Sequence, residues 1–231
     1  MAASDREDAE AKRFGINNWV EAYREPLPQT FRHRQRVAER LASIGRRIIR
    51  ADVSDATLIA LEARLAEVDE MLGELNYHPH AGQYAEMMAN QADQTSVLMA
   101  FDYDAVTGAS NPAASRLSFD LDAEEVLARV TLDELQEGGP GNAHGGILSA
   151  LLDVVLARVQ HREGWIGVTG YLNTRYLHPT PLHQPLVLKA WPASRVGRVA
   201  KVEGGIWCGD RQTVAAEALY IAPRGLQKPI G

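Results

Sequence analysis

Between Gly141 and Val159 the chain reads GNAHGGILSALLDVVLARV. A glycine-rich turn with a histidine runs into an apolar, helix-like stretch, and one carboxylate, Asp153, stands in its middle. Within ILSALLDVVLARV only Ser149, Asp153 and Arg158 are strongly polar. An ionised carboxylate in apolar surroundings is costly unless it is paired or solvated. Asp153 must therefore reach a polar cleft or pair with a cation such as Arg158 or Arg175. The first reading is a reactive site, since perturbed carboxylates gather there, and the second a structural ion pair. Ser149 lies four residues earlier and shares the face of Asp153. Ahead of them, Gly145 and Gly146 open the helix, where unbonded backbone N–H groups point outward. Such a terminus favours negative charge, and glycine lets a ligand approach the backbone. An oxyanion formed in acyl transfer needs those two properties. His144 either donates a hydrogen bond there or caps the turn.

Other chemistries fit poorly. Gly139-Pro140-Gly141 starts like a dinucleotide-binding loop, but His144 occupies the third glycine position. There is no Walker A lysine and no GxSxG elbow. His78 and His80 lack a third ligand nearby, which argues for a solvent-facing turn rather than a metal site. Cys208 is the one cysteine, so no internal disulfide forms. The net charge of −6 offers no field for nucleic acid or an anionic membrane. The charged start MAASDREDAEAKR has no apolar signal core, and no run is long and apolar enough to span a bilayer. A cytoplasmic, soluble protein is the expectation.

The elements that must hold Asp153 can be read around it. With 231 residues the chain allows one large domain, or one domain with an extension. Residues 1–13 are polar and read as a disordered tail. TFRHRQRVAERLASIGRRIIR, after Pro28, reads as a helix. A short break with Ser54 and Asp55 as cap formers follows. Then Leu58, Leu61, Leu65, Val68, Leu72 and Leu75 recur at alternating spacings of three and four, a strong amphipathic pattern. Two such helices suggest a helical hairpin, either a packing face or a lid or partner-docking surface. Residues 76–113 read as turns and linker. SRLSFDLD and EEVLARVTL alternate as strands, and four more strands follow the apolar helix. The string β-β-α-β-β-β-β implies an α+β fold, a mainly antiparallel sheet that curls round one buried helix. The expected boundaries are 14–99 for the helical extension and linker, and 100–231 for the sheet domain.

HGGILSALLD resembles the motif of hot dog fold thioesterases of the phenylacetate-pathway type, His-Gly-Gly followed by six residues and Asp. GVTGYLNTRYLHPTPLHQPLVLKAWPASRVGRVAKVEG and FDYDAVTGASNPAA resemble the same group, so the likeness spans roughly residues 100–223. It implies a hot dog fold whose dimers join sheets edge to edge, sometimes as dimers of dimers, with the site between subunits. It implies that Asp153 is the general base or nucleophile and that the Gly145 N–H holds the thioester oxygen across the interface. It also implies that His144 supports that region or the leaving sulfur, and that Thr169 orients the attacking water.

The sequence departs from the resemblance in places. Relatives often carry Asn or Gln where Gly138 stands, and Asn142 is the candidate replacement. Ala157 stands where many relatives carry Gly, which would narrow an acyl tunnel. Asn142, Gly146 and Arg198 are the expected substrate-binding residues, with Arg195 and Lys201 as further phosphate contacts.

No metal or resident cofactor is expected; coenzyme A enters as part of the substrate. A thioester carbonyl is electrophilic and a thiolate leaves readily, so one base with an oxyanion site suffices. The expectation is an acyl-CoA thioesterase acting as a homodimer, and the alternative a non-catalytic acyl-CoA binding or sensing module. A hot dog dehydratase fits less well, because its His and acid arrangement is absent.

Overall fold

A computed structural model describes residues 19–74, 92–120, 123 and 125–223. Leu75, His78 and His80 lie outside these, as does the tail 1–13. Among the described residues four helices come first: α1 (Trp19–Arg24), α2 (Gln29–Arg50), α3 (Asp55–Leu72) and α4 (Gln94–Asp102). Strands β1 (Ser118–Phe119) and β2 (Val126–Thr131) follow, then a short 3-10 turn at Glu134–Gln136. Next come the central helix α5 (Gly145–Arg162) and strands β3 (Val168–Tyr176), β4 (Pro185–Val196), β5 (Val199–Cys208) and β6 (Arg211–Ile221).

The sheet has six strands in the order β1-β2-β4-β5-β6-β3, with every pairing antiparallel. Helix α5 packs on β2 through β6, and the main core forms between them. Leu148, Leu151, Leu152, Val155 and Leu156 of α5 meet Leu186, Leu188, Val202, Ile206 and Tyr220 of the sheet. Burial on nearly all sides explains why this helix is apolar nearly all round. The architecture is the α+β hot dog read from the sequence: one helix inside a curled sheet.

The sheet can curl so tightly because β5 is thin at Gly204. A Cβ there would stand 2.4 Å from the Lys189 carbonyl oxygen and 3.1 Å from Leu156 of the helix. Bulges interrupt β3, β4 and β6 as well, and each adds local bend and twist.

The N-terminal region differs from its sequence reading in two respects. The span 76–113, read as linker, contains α4, capped by Asp93, whose carboxylate accepts from the Ser96 N–H at 2.7 Å. Its Val97 joins Ala22 and Ala92 in a second small core that reaches Ile166. The two long helices α2 and α3 form with a short link, as expected. Helix α2 is anchored through Phe31, Ala38 and Ala42 and by Arg46 and Arg50, which pair with Asp133 and Glu134. Helix α3, however, buries none of its residues. Its leucine stripe has no partner face among the described residues, so the pair is not closed as a packed hairpin.

Candidate active site

Asp153 projects from the middle of α5 toward β3. It is half-buried, and Thr169 donates its hydroxyl to Asp153 Oδ1 at 3.3 Å. A β-bulge makes that contact. The β3–β6 register slips between Thr169 and Tyr171, around Gly170. Leu172, Thr174 and Tyr176 face the helix side of β3, so strict alternation would put Thr169 on the opposite face. The extra residue resets the parity and turns Thr169 to the acid. Asp153 makes no ion pair among the described residues. The structural-pair reading is thus overturned: Arg175 lines a cavity on the outer face of the sheet. Arg158 is buried with its guanidinium 4.3 Å from the Phe101 ring centre and 5.7 Å from that of Phe119.

Burial pushes the Asp153 carboxyl above the usual carboxylate range, the Thr169 hydrogen bond pulls the other way, and the negative charge of Asp104 adds to the rise. Asp104 is the residue the sequence reading passed over. It sits in the loop after α4, where its Oδ1 accepts from Val106 N–H at 2.9 Å and from Thr107 N–H at 2.8 Å. The Asp-x-x-Thr spacing of FDYDAVTG was the available signal, because such a pair closes its own turn. Tyr220 is the second omission. It is fully buried, and its hydroxyl has no hydrogen-bond partner among the described residues. Burial first and the Asp153 charge second push its phenol upward, so it remains a proton donor.

The start of α5 is fixed by a relay of hydroxyls. Thr174 Oγ1 meets Ser149 Oγ at 3.1 Å, and Ser149 meets the Tyr176 hydroxyl at 2.7 Å. Tyr176 then donates to the Gly145 carbonyl at 2.8 Å. Ser149 thus serves the helix start and not Asp153. A Cβ at Gly145 would lie 3.2 Å from the Tyr176 ring, which explains glycine there. His144 is the N-cap: its Nδ1 accepts the Gly146 N–H at 3.0 Å. That corrects the picture of two free N–H groups, because Gly146 is engaged and only Gly145 keeps its donor without a partner among the described residues. With Nδ1 accepting, neutral His144 carries its proton on Nε2.

The remaining expected residues are more remote in role. Asn142 donates its side-chain amide to the Pro140 carbonyl at 3.0 Å, within its own turn. Gly138 cannot carry the larger residue of the resembling proteins, since a Cβ would stand 2.7 Å from His144 Cα. Arg198 donates Nε to the Ala222 carbonyl at 2.8 Å, clamping the end of β6. Arg195 stacks its guanidinium 5.3 Å from the Trp165 ring centre, and Lys201 is exposed.

The structure brings Asp153 and Thr169 together, and His144 with Gly145 and Gly146, but these are two separate groups. Gly145 and Asp153 are eight residues apart on one helix. At 1.5 Å per residue that is about 12 Å, too far for one carbonyl group to touch both.

Residues 140–215, which contain both groups, match the family described as the thioesterase superfamily. The solved structure of the thioesterase superfamily protein RHA08564 is similar to this chain at 26% identity, covering 81% of this chain and 94% of that one, with a TM-score of 0.67. A hypothetical thioesterase from Streptococcus pneumoniae, solved with coenzyme A, is 21% identical over 46% of this chain and 88% of that one, at a TM-score of 0.44. The PaaI protein of the E. coli phenylacetic acid degradation operon is 16% identical over 46% and 82%, at 0.43. The family match and the likeness to RHA08564 support the hot dog-like fold. Among the described residues no helix is long and apolar enough to cross a membrane.

Proposed function

We propose that the chain hydrolyses an acyl thioester, with coenzyme A as the thiol carrier, in a site shared by two copies. The observation that carries this reading is a half-buried carboxylate without a counter-ion, Asp153, aimed at an edge strand by a threonine. Among the described residues strand β3 pairs only with β6, so its other edge is open there. An open, nine-residue edge is a template for a second strand. Antiparallel pairing of two copies centred on Asn173, with Gly170 as the extra residue of the bulge, sets Tyr176 of one opposite Thr169 of the other. Since Tyr176 holds Gly145 and Thr169 holds Asp153, the two half-sites then meet across the seam.

In that arrangement Asp153 and Thr169 hold a water against the thioester carbonyl carbon. Asp153 takes the water's proton as the C–O bond forms. The Gly145 N–H of the second copy stabilises the oxyanion, aided by the helix terminus. Collapse of the tetrahedral intermediate breaks the C–S bond. The thiolate takes up the proton that Asp153 removed from the water, while His144 Nε2–H offers the departing sulfur a hydrogen bond at the helix start, and the products are a free acid and a thiol. The alternative in which Asp153 attacks directly passes through an anhydride that water then opens. The Asp153→Asn variant should lose at least about a hundredfold in kcat on a panel of acyl-CoA substrates of varied chain length and ring content, read by thiol release. Full turnover by that variant would overturn the role of Asp153. Binding without hydrolysis by the unaltered chain, across the whole panel, would favour the binding-module reading.

A further inference from the structure

Helices α2 and α3 each present a largely exposed apolar stripe that no helix or strand among the described residues covers. On α2 the stripe is Val37, Leu41, Ile44 and Ile48, of which Val37 is 56% exposed. Its first two residues, Val37 and Leu41, help form one wall of a groove of about 650 Å³ whose other wall is Tyr103, Asn111 and Pro112, and Ile44 and Ile48 continue the stripe beyond it. On α3 the stripe is Leu58, Leu61, Leu65, Val68 and Leu72, on a helix that buries none of its residues. Both stripes step by alternating threes and fours, the repeat of a two-helix seam.

The charges beside the two stripes are complementary. In heptad order, the positions just before the α2 seam residues are His33, Arg40 and Arg47. The positions just after the α3 seam residues are Asp55, Glu62 and Asp69. Among the described residues Arg40, Arg47, Asp55, Glu62 and Asp69 make no ion pair. Such flanking positions face each other only when two helices run parallel. In an antiparallel hairpin Arg40 and Arg47 would instead meet the Thr57, Arg64 and Met71 row, and the acids would meet Ala38 and Gly45, which face the chain's own body. The link between α2 and α3 is only residues 51–54, too short to bring the two helices of one chain parallel and side by side.

We propose that α3 of one chain lies in the groove of a second copy, parallel to that copy's α2. The register that overlaps the helices most fully sets Leu41 against Leu65 and Ile48 against Leu72. It also sets Arg40 against Asp69 and His33 against Glu62. A two-fold axis repeats the contact, so two copies exchange helices. The groove's second wall is the loop that carries Asp104, so the exchanged helix borders the segment whose charge acts on Asp153. This inference concerns assembly and stands whether or not the chain hydrolyses thioesters.

The test uses the full chain in a Cys208→Ser background. One preparation carries Arg40→Cys and another Asp69→Cys; they are mixed, allowed to exchange and oxidised. The expected result is a covalent heterodimer on a non-reducing gel. Absence of that heterodimer, or closure of both cysteines within one chain carrying the two, would overturn the proposal. A second measurement reads sedimentation. Arg40→Asp should weaken self-association about tenfold, and Asp69→Arg in the same chain should restore it, because reversed pairs repel and re-reversed pairs attract. Self-association unaffected by either change would count against helix exchange even if the chain remains dimeric through its sheets.

Discussion

At the residue scale, Asp153 is governed by a balance of burial, one hydroxyl and one neighbouring charge. A general base must be ionised, so activity falls as pH drops through its pKa, which burial has moved above the ordinary carboxylate range. Asp104→Asn keeps the turn-closing acceptor but removes the negative charge. The acid limb of the pH–rate profile should therefore shift to lower pH, with the plateau rate little changed. An unmoved limb would show that Asp104 does not act on the site. The stability sign is the reverse of the usual carboxylate case. A carboxyl whose folded pKa is raised contributes stability below its unfolded value, and that contribution is lost as pH rises through the folded value. At neutral pH ionised Asp153 is thus a cost, and Asp153→Asn should melt no lower than the unaltered chain. Equal or higher Tm beside lost turnover separates a functional acid from a structural one.

At the scale of elements, the strongest demand falls on the sheet's curvature. Gly204→Ala places a methyl against the Lys189 carbonyl and Leu156, and should cost about 3 kcal/mol in a denaturant titration, since overpacking a close backbone approach cannot be relieved by a rotamer. A neutral result would mean that the sheet curls for another reason. The sequence made α5 and strands β2 to β6 legible because their apolar patterns are long and interrupted by clear turns. It made Asp153 legible because an acid inside an apolar helix has few bland explanations. Asp104 and Tyr220 were not legible, for different reasons. Asp104 looks like any turn aspartate until the fold lays its loop against the site. Tyr220 occupies an ordinary inward position of a strand, and nothing local says its hydroxyl goes unpaired. Helix α4 was hidden because its nine residues, QTSVLMAFD, show little periodicity and are recruited by a core formed elsewhere. The bulge at Gly170 was equally silent, though it decides which way Thr169 faces.

At the scale of the whole molecule, acid should be the weakness. His161 is buried beside Arg158, and burial first, the arginine charge second, hold its pKa down to about 3. It is neutral in the folded chain, while the unfolded chain takes up a proton below its ordinary value. Its contribution is complete above about pH 6.5 and is lost as pH falls toward 3, at roughly 1.4 kcal/mol per pH unit for one proton. His161→Gln should flatten that slope in a series of urea titrations, whatever it does to stability at neutral pH. An unchanged slope would assign acid sensitivity to other groups. The separation of Gly145 from Asp153 along one rigid helix has a last consequence, one of molecularity. If neither half-site can act alone, rate per chain is not a constant of the protein. It should fall on dilution, tracing the same curve as dissociation of the pair. Mixing equal amounts of two inactive chains, one impaired at Asp153 and one at Gly145, should return one of the two sites in each mixed pair to work, about a quarter of all sites after random exchange.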